Sequence, residues 1–213
     1  MIILSVIVSL RVTSNLLMWI SLELNILRFL PIISSKENIE IENSIKYFLV
    51  QRWASVIFLS RFFFFNMVNN SFYLLINLSI FIKLGIRPFH SWFISILKTR
   101  SLTTLFILST VQKIIPLVIL FNIKTRNYLI FVVIFLTLFF ILILLPRTLN
   151  INKVLAISSI TNVIWLLISV LFSLKLIFLF MRVYMFLLIG FVILYNFYGS
   201  SIFTQINSSA FSD

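Results

Sequence analysis

Of the 213 residues, 62% are hydrophobic and only 10% are charged, and the mean hydropathy is +1.17. This composition leaves too little polar surface to cover a water-soluble globule, so we predict an all-α membrane protein: one polytopic transmembrane helix bundle of about eight helices over residues 1–213. The net charge of +12 does not indicate nucleic-acid binding, because the basic residues are scattered and form no patch. Contact with membrane lipids explains them better.

The chain has no cysteine and one histidine, His90. These counts exclude disulfides, thiolate nucleophiles and metal–thiolate sites from this chain, and a haem or copper site made of its own imidazoles. We therefore expect no metal site. The opening sequence MIILSVIVSL has neither the basic start of a secretory signal nor an Arg-rich leader, so we expect insertion where the protein is made.

The N-terminal helices are predicted within residues 1–33. The apolar run Met1–Val12 spans only about 18 Å as a helix, short of the roughly 30 Å hydrocarbon core. Ser14 is a suitable N-cap for a second helix, which carries Glu23 in the middle of its apolar run. A polar loop is predicted at 34–43.

The helix bundle is predicted over 44–198, followed by a polar tail at 199–213. Its third helix contains Arg52 and Arg61, and its fourth segment is predicted to break at Gly85 and Pro88, because proline cannot continue the hydrogen-bonded ladder. We predict the helices of this bundle at about 44–68, 71–97, 101–121, 128–145, 151–172 and 176–198.

Lys83 and Lys113 are the most informative residues in the chain, since each lies deep within an apolar run. A cation at that depth is costly, and intramembrane lysines mark ion or proton pathways. Prolines follow both lysines. We predict helix breaks at Gly85, Pro88 and Pro116, of the kind that line cavities in transporters.

Lysine suits proton carriage because the balance between its charged and neutral forms responds to burial and to neighbouring charges. Glu23 is the expected counter-charge for Lys83. For cations near helix ends, snorkelling is the simpler interpretation; these are Arg52, Arg61, Lys175 and Arg182. The polar residues of the 151–172 run fit either a water path or hydrogen bonds between helices, and His90 either a functional or a structural role. Those polar residues are Ser158, Ser159, Thr161 and Asn162.

Several segments carry a combined pattern of polar residues within apolar helices. They are W-I-S-L-E-L-N-I-L at 19–27, K-Y-F-L-V-Q at 46–51, K-L-G-I-R-P-F-H-S-W at 83–92, Q-K-I-I-P at 112–116 and K-V-L-A-I-S-S-I at 153–160. In this order and at this spacing, they resemble the motifs of the mitochondrial NADH-ubiquinone oxidoreductase chain 2 family, the antiporter-like membrane subunit of respiratory complex I.

The resemblance implies that Glu23, Lys83 and Lys113 match the family's buried proton-path residues. It implies that redox chemistry occurs in other subunits, so that this chain has no cofactor. Its expected partners are the other membrane-arm subunits of complex I and membrane lipids, without nucleic acid or a small-molecule cofactor, and its expected location is the mitochondrial inner membrane. The expected supporting polar residues are His90, Gln112, Lys153, Ser158, Ser159 and Asn162.

The chain also departs from the family pattern. Ile157 and Asn162 replace a tyrosine and a histidine of the Ser-Ser helix, and Ile164 replaces its glycine, so side access to the water path is expected to differ. The chain ends at Asp213, before the family's second broken helix and terminal lysine or glutamate. We therefore expect either an incomplete chain or a C-terminally reduced form.

The resulting functional prediction is a core membrane subunit of complex I that contributes to proton translocation coupled to NADH:ubiquinone electron transfer. As a subunit, it belongs to an enzyme but performs no redox reaction itself. Two alternatives stay open. One is a structural, non-pumping membrane subunit of the same complex, and the other is a free-standing cation/proton antiporter.

Overall fold

The computed structural model describes residues 14–34, 38–63, 72–97, 102–123, 127–144 and 151–209. All regular structure in these ranges is helical, which confirms the predicted all-α fold. The predicted helix Met1–Val12 lies outside the described residues. The helices are α1 (Asn15–Ile33), α2 (Asn38–Phe63), α3 (Phe72–Leu84), α4 (Ser91–Leu97), α5 (Leu102–Ser109), α6 (Val111–Asn122), α7 (Asn127–Leu144), α8 (Ile151–Phe172) and α9 (Leu174–Ser209).

Two helices extend beyond their predicted ends. Helix α2 begins at Asn38, so the polar stretch predicted at 34–43 is partly helical. The Lys46 Nζ lies 2.6 Å from the Glu42 Oε1, and this i,i+4 ion pair supports the exposed end of the helix. The hydrogen bond and the positive charge of Lys46 hold the pKa of Glu42 below its usual value. Helix α9 runs through Gly199 to Ser209, since one glycine weakens a helix without ending it.

The predicted break between α3 and α4 is present and begins at Gly85. Gly85 has φ +67°, a left-handed conformation that glycine adopts without steric cost. Its N–H donates to the Ile82 carbonyl, and the Ile86 N–H donates to the Phe81 carbonyl. This pair of bonds is a Schellman cap, which satisfies the last carbonyls of α3. Pro88 lies in the following turn, before α4 starts.

The second break lies at Thr110, and the prediction of a break at Pro116 is wrong. Pro116 lies inside α6, and α5 ends at Ser109. Proline removes the hydrogen bond that its own nitrogen would give to the Gln112 carbonyl. Helix α6 begins at Val111, one residue before Gln112, so few helical hydrogen bonds precede Pro116. The break in the helix therefore lies at Thr110, before α6 begins.

Helix α6 is at the centre of the packing. It contacts α1, α3, α5, α8 and α9, whereas α2 contacts α1, α3 and α4. From Ile115 to Leu120 every side chain of α6 is buried. A side chain on this helix therefore faces protein on most sides, which explains how Lys113 comes to be enclosed.

Among the described residues, several helices are long and apolar enough to cross a membrane. Burial within the bundle differs between them: 67% of the Thr104–Asn122 span is buried, but only 22% of the Leu174–Leu194 span. The outer faces of α7 and α9 expose many large apolar side chains, which can contact lipid or other protein. The four candidate spans are Leu16–Ile33, Thr104–Asn122, Leu155–Phe172 and Leu174–Leu194.

Candidate functional site

Lys83 and Lys113 line the same internal cavity, although they lie on different helices. Tyr47, Gln51 and Gln112 contribute the other polar groups to its wall. The cavity volume is about 10 Å³. This volume is at the lower limit for holding one water molecule. The wall of this cavity therefore includes two lysine residues, and the cavity has room for about one water molecule.

The Lys83 ammonium is held by α2. Its Nζ donates to the Ser55 Oγ at 2.9 Å and to the Gln51 carbonyl at 3.4 Å, and 6% of the residue is exposed. Lys83 is also in the last turn of α3, where the helix dipole favours a cation. These contacts partly offset the cost of removing the charge from water.

The Lys113 ammonium is held by α8. Its Nζ donates to the Ser159 Oγ at 2.6 Å and to the Ser159 carbonyl at 3.0 Å. It also lies 5.1 Å from the centre of the Phe93 ring, a distance that permits a cation–π interaction. Lys113 is in the first turn of α6, where the dipole gives a cation no support. Its hydrogen bonds to Ser159 and the aromatic ring are therefore its main stabilising contacts.

The break at Gly85 positions Trp92 and Phe93 at the cavity that both lysines line. The Trp92 Nε1 donates to the Ile82 carbonyl at 3.2 Å, which fixes the start of α4 against the end of α3. Trp92 and its neighbour Phe93 both line the cavity. The turn that ends α3 next to Lys83 thus also positions the Phe93 ring beside the Lys113 ammonium.

Glu23 is buried on α1, and the Arg52 Nη1 lies 2.6 Å from its Oε2. This contact is a close ion pair without hydrogen-bond alignment, because neither Glu23 oxygen has an aligned donor among the described residues. Lys83 interacts electrostatically with the charges of both Glu23 and Arg52. The sequence predicts that Glu23 is the counter-charge for Lys83 and that Arg52 snorkels towards the membrane surface. In the structure, the direct ionic partner of Glu23 is Arg52.

Gln112 joins three helices beside the cavity. Its Oε1 accepts hydrogen bonds from the Asn25 Nδ2 at 2.7 Å and from the Tyr47 hydroxyl at 3.2 Å, and its Nε2 donates to the Asn25 Oδ1 at 3.3 Å. The network fixes α1 and α2 to the start of α6. Since Gln112 precedes Lys113 directly, this network also fixes the backbone that carries the lysine.

The remaining predicted residues are placed differently. His90 is in the turn between α3 and α4, where its Nδ1 lies 3.2 Å from the Pro88 carbonyl. Ser158 is exposed and donates to the Leu155 carbonyl of its own helix, so it does not reach Lys113. Asn162 is partly buried and lines a second cavity together with Tyr184. The side chain of Lys153 lies outside the described residues.

Several polar residues of the site were not predicted. Three of them, Asn25, Gln51 and Ser55, share a signal: a small or amide side chain within an apolar run, placed on the same helical face as another polar residue. Gln51 and Ser55, one turn apart, illustrate this, since both hold Lys83. The missed residues are Asn25, Tyr47, Gln51, Arg52 and Ser55.

Within the described residues, the site has neither a cluster that could hold a metal ion nor room for a larger ligand. In the part of the chain that the structure describes, no group of three or more His, Cys, Asp or Glu residues could hold a metal ion. The shared cavity is too small for anything larger than water. Its wall includes two buried lysine residues, Lys83 and Lys113.

Comparison with known proteins adds an independent observation. Residues 13–208 match the family described as "NADH:quinone oxidoreductase/Mrp antiporter, TM". The chain is 36% identical over 194 residues to NADH-ubiquinone oxidoreductase chain 2 of Artemia franciscana, an alignment that covers 91% of this chain and 61% of the relative. It is 32% identical over 216 residues to chain 2 of Anopheles gambiae, covering 97% and 63%.

A shorter alignment is closer. Over 76 residues, the chain is 50% identical to chain 2 of Artemia salina, covering 36% of this chain and 52% of the relative. In the two longer alignments the chain spans 61% and 63% of the length of the relatives it matches. The similarity therefore extends through nearly the whole of this chain, but not through the whole of those relatives.

Proposed function

Because the chain belongs to the NADH:quinone oxidoreductase/Mrp antiporter family of membrane proteins, we propose that it is a membrane subunit of respiratory complex I in the mitochondrial inner membrane and contributes to proton translocation. In this proposal, NADH oxidation and ubiquinone reduction occur in partner subunits, and this chain binds no redox cofactor. The observation that supports a proton-handling role is the shared cavity of Lys83 and Lys113. Two buried amines beside one water site form a minimal pathway for a proton.

The proposed transfer needs no covalent chemistry. The Lys83 ammonium gives one proton to a water in the cavity, and that water gives one of its protons to the neutral amine of Lys113. Lys83 ends as an amine, Lys113 as an ammonium, and the water is unchanged. The hydrogen-bond acceptors already in place stabilise each ammonium: Ser55 and the Gln51 carbonyl for Lys83, and Ser159 for Lys113.

The pair of Glu23 and Arg52 provides electrostatic control of this transfer. When Arg52 is next to Glu23, the two charges largely cancel at Lys83. When Arg52 moves away, the uncompensated carboxylate attracts the Lys83 ammonium and retains its proton. Opening and closing one ion pair on α1 and α2 would thereby alternate Lys83 between proton uptake and release.

Substitution of each lysine tests this function. Lys83→Met and Lys113→Met keep an apolar side chain of similar length, and each should lower the rate of NADH-driven proton uptake by about tenfold or more. Lys175→Met, at an exposed position on α9, is the matched control and should behave as wild type. Proton uptake and NADH oxidation are measured together in membrane vesicles, with assembly checked on native gels. Normal coupling in assembled Lys83→Met and Lys113→Met complexes would leave the structural, non-pumping subunit as the better interpretation.

The partner proposal has its own test. A native gel of mild-detergent membrane extract, stained for NADH dehydrogenase activity, should show peptides of this chain in the large active band. Peptides found only in a small species would contradict membership of complex I. Cation/proton exchange by that species in liposomes would then identify a free-standing antiporter.

A further inference from the structure

Helix α9 has two nearly opposite faces with the same kind of spacing. On the inner face, which packs against the bundle through α6 and α8, the buried side chains alternate between four and three residues apart: Ile177, Met181, Tyr184 and Leu188. On the outer face, exposed side chains follow the same alternation: Leu179, Arg182, Phe186, Ile189 and Ile193. Residues at these intervals form one stripe along a helix, and such stripes are the surfaces through which helices pack side by side.

Arg182 lies deep within the apolar span of α9. It is eight residues after Leu174 and twelve before Leu194, so about 12 Å and about 18 Å of helix separate it from the two ends of the span. Snorkelling carries a charge to the membrane surface from positions near a helix end. It fits Lys175, the second residue of α9, but Arg182 is more than two turns from either end of the span.

The exposed side chain of Arg182 needs a counter-charge, because a charge at mid-depth in hydrocarbon is costly. The carboxylates among the described side chains are Glu23 and Glu42, and each already has a basic partner, Arg52 or Lys46. The counter-charge for Arg182 therefore has to come from outside the described part of the chain.

We propose that the outer face of α9 binds a transmembrane helix of a partner subunit, and that this helix has an aspartate or glutamate at the depth of Arg182. The side of the partner helix that meets the other four residues of the face is apolar. A guanidinium and a carboxylate form two parallel hydrogen bonds, so the pair fixes both the depth and the rotation of the partner helix. This inference rests on the proposed membership of complex I and adds to it a specific contact surface.

Neither lipid nor a second copy of this chain meets the same requirement. Lipid tails match the apolar side chains of the face, but anionic head groups lie at the membrane surface, away from the depth of Arg182. A second copy related by a two-fold axis along the membrane normal would place two arginines side by side. Like charges repel each other strongly at that depth, where water does not screen them.

Arg182→Met tests the charge complementarity. The substitution leaves the carboxylate of the partner helix buried without its counter-charge, so the share of this chain in the large active band of a native gel should fall by about tenfold or more. Lys175→Met is the matched control, because it removes the same charge from the same helix near the membrane surface, and it should assemble as wild type. If Arg182 faces lipid, Arg182→Met removes a costly charge from hydrocarbon, and assembly should stay equal or rise. Either of those results would overturn the inference.

Cross-linking at Phe186 identifies the neighbour of this face while Arg182 stays in place, and it decides the question even where Arg182→Met does not fold. Phe186 is 77% exposed and about one turn from Arg182, so a photoreactive phenylalanine analogue at position 186 keeps the ring and reaches the adjoining molecule. Mass spectrometry of adducts from intact membranes should give a peptide of another subunit, with an Asp or Glu within about one helical turn of the attachment point. Adducts with lipid alone, with a second copy of this chain, or with a helix lacking that carboxylate contradict the proposal.

The docking surface and the proposed function fail in different ways. Absence of the wild-type chain from the large active band contradicts membership of complex I itself. Presence of the chain in that band, together with adducts at Phe186 to lipid alone, contradicts only the docking surface.

Discussion

Lys83 and Lys113 share one cavity, yet their hydrogen bonds run to different helices. Lys83 is held by Ser55 and the Gln51 carbonyl on α2, and Lys113 by Ser159 on α8. A movement of α2 would therefore alter the surroundings of Lys83 without touching the acceptors of Lys113. Under the proposed function, separate acceptors would allow each ammonium to be stabilised independently of the other.

The two adjacent serines of α8 give a direct test of the Lys113 geometry. Ser159→Ala removes an acceptor 2.6 Å from the ammonium, while Ser158 bonds only within its own helix. Since hydrogen bonds to charged groups contribute about 1.5–3 kcal/mol, Ser159→Ala should lower coupled proton translocation roughly tenfold or more. Ser158→Ala should have no effect. Equal effects of the two substitutions on vesicle proton uptake would contradict this arrangement.

Gly85 should tolerate no side chain. A Cβ at this position would lie 3.1 Å from Trp92 and 3.2 Å from Phe93, and the left-handed backbone costs other residues about 1–2 kcal/mol. Gly85→Ala should therefore lower the unfolding temperature of the complex in detergent. Gly190→Ala is the control, because a Cβ there meets nothing within 4 Å and alanine favours a helix. It should leave the unfolding temperature unchanged or raise it.

Gln112 should be needed for stability because it satisfies groups on two other helices. Gln112→Leu leaves the Asn25 amide and the Tyr47 hydroxyl without their acceptor, at a cost of about 1–3 kcal/mol. Adding Asn25→Leu and Tyr47→Phe removes the stranded groups and should recover most of the lost stability. Thermal unfolding of the purified complex measures both changes. A triple variant less stable than Gln112→Leu would show that packing, and not hydrogen bonding, dominates there.

Substitutions in the ion pair of Glu23 and Arg52 should affect stability and proton coupling differently. Glu23→Gln leaves the Arg52 guanidinium without its counter-charge. Because the Arg52 side chain is 39% exposed, the expected loss in the free energy of unfolding is roughly 1–3 kcal/mol, between the values typical of exposed and of buried ion pairs. Glu23→Gln combined with Arg52→Met should restore stability but not proton coupling. Restored coupling in the double variant would mean that the pair is only structural.

The sequence alone predicts the long apolar helices well, because about 20 apolar residues in lipid have few alternatives to a helix. Helix α8 occupies the predicted range, Ile151–Phe172. The turn at Gly85 is also predictable from glycine followed closely by proline. Burial of Lys83 and Lys113 follows from the apolar runs around them. In each case the cause is local, and it can be read within one segment.

The tertiary structure alone decides which residues meet. Two adjacent serines are equivalent in sequence, but they lie about 100° apart around a helix, and only the packing of α8 against α6 turns Ser159 towards Lys113. The same holds for Arg52, which pairs with Glu23 because α1 and α2 bring those faces together. The irregularity at Thr110 likewise depends on where α6 begins. Local preference determines that a helix forms, while its rotation and its neighbours are set by the packing of the whole bundle.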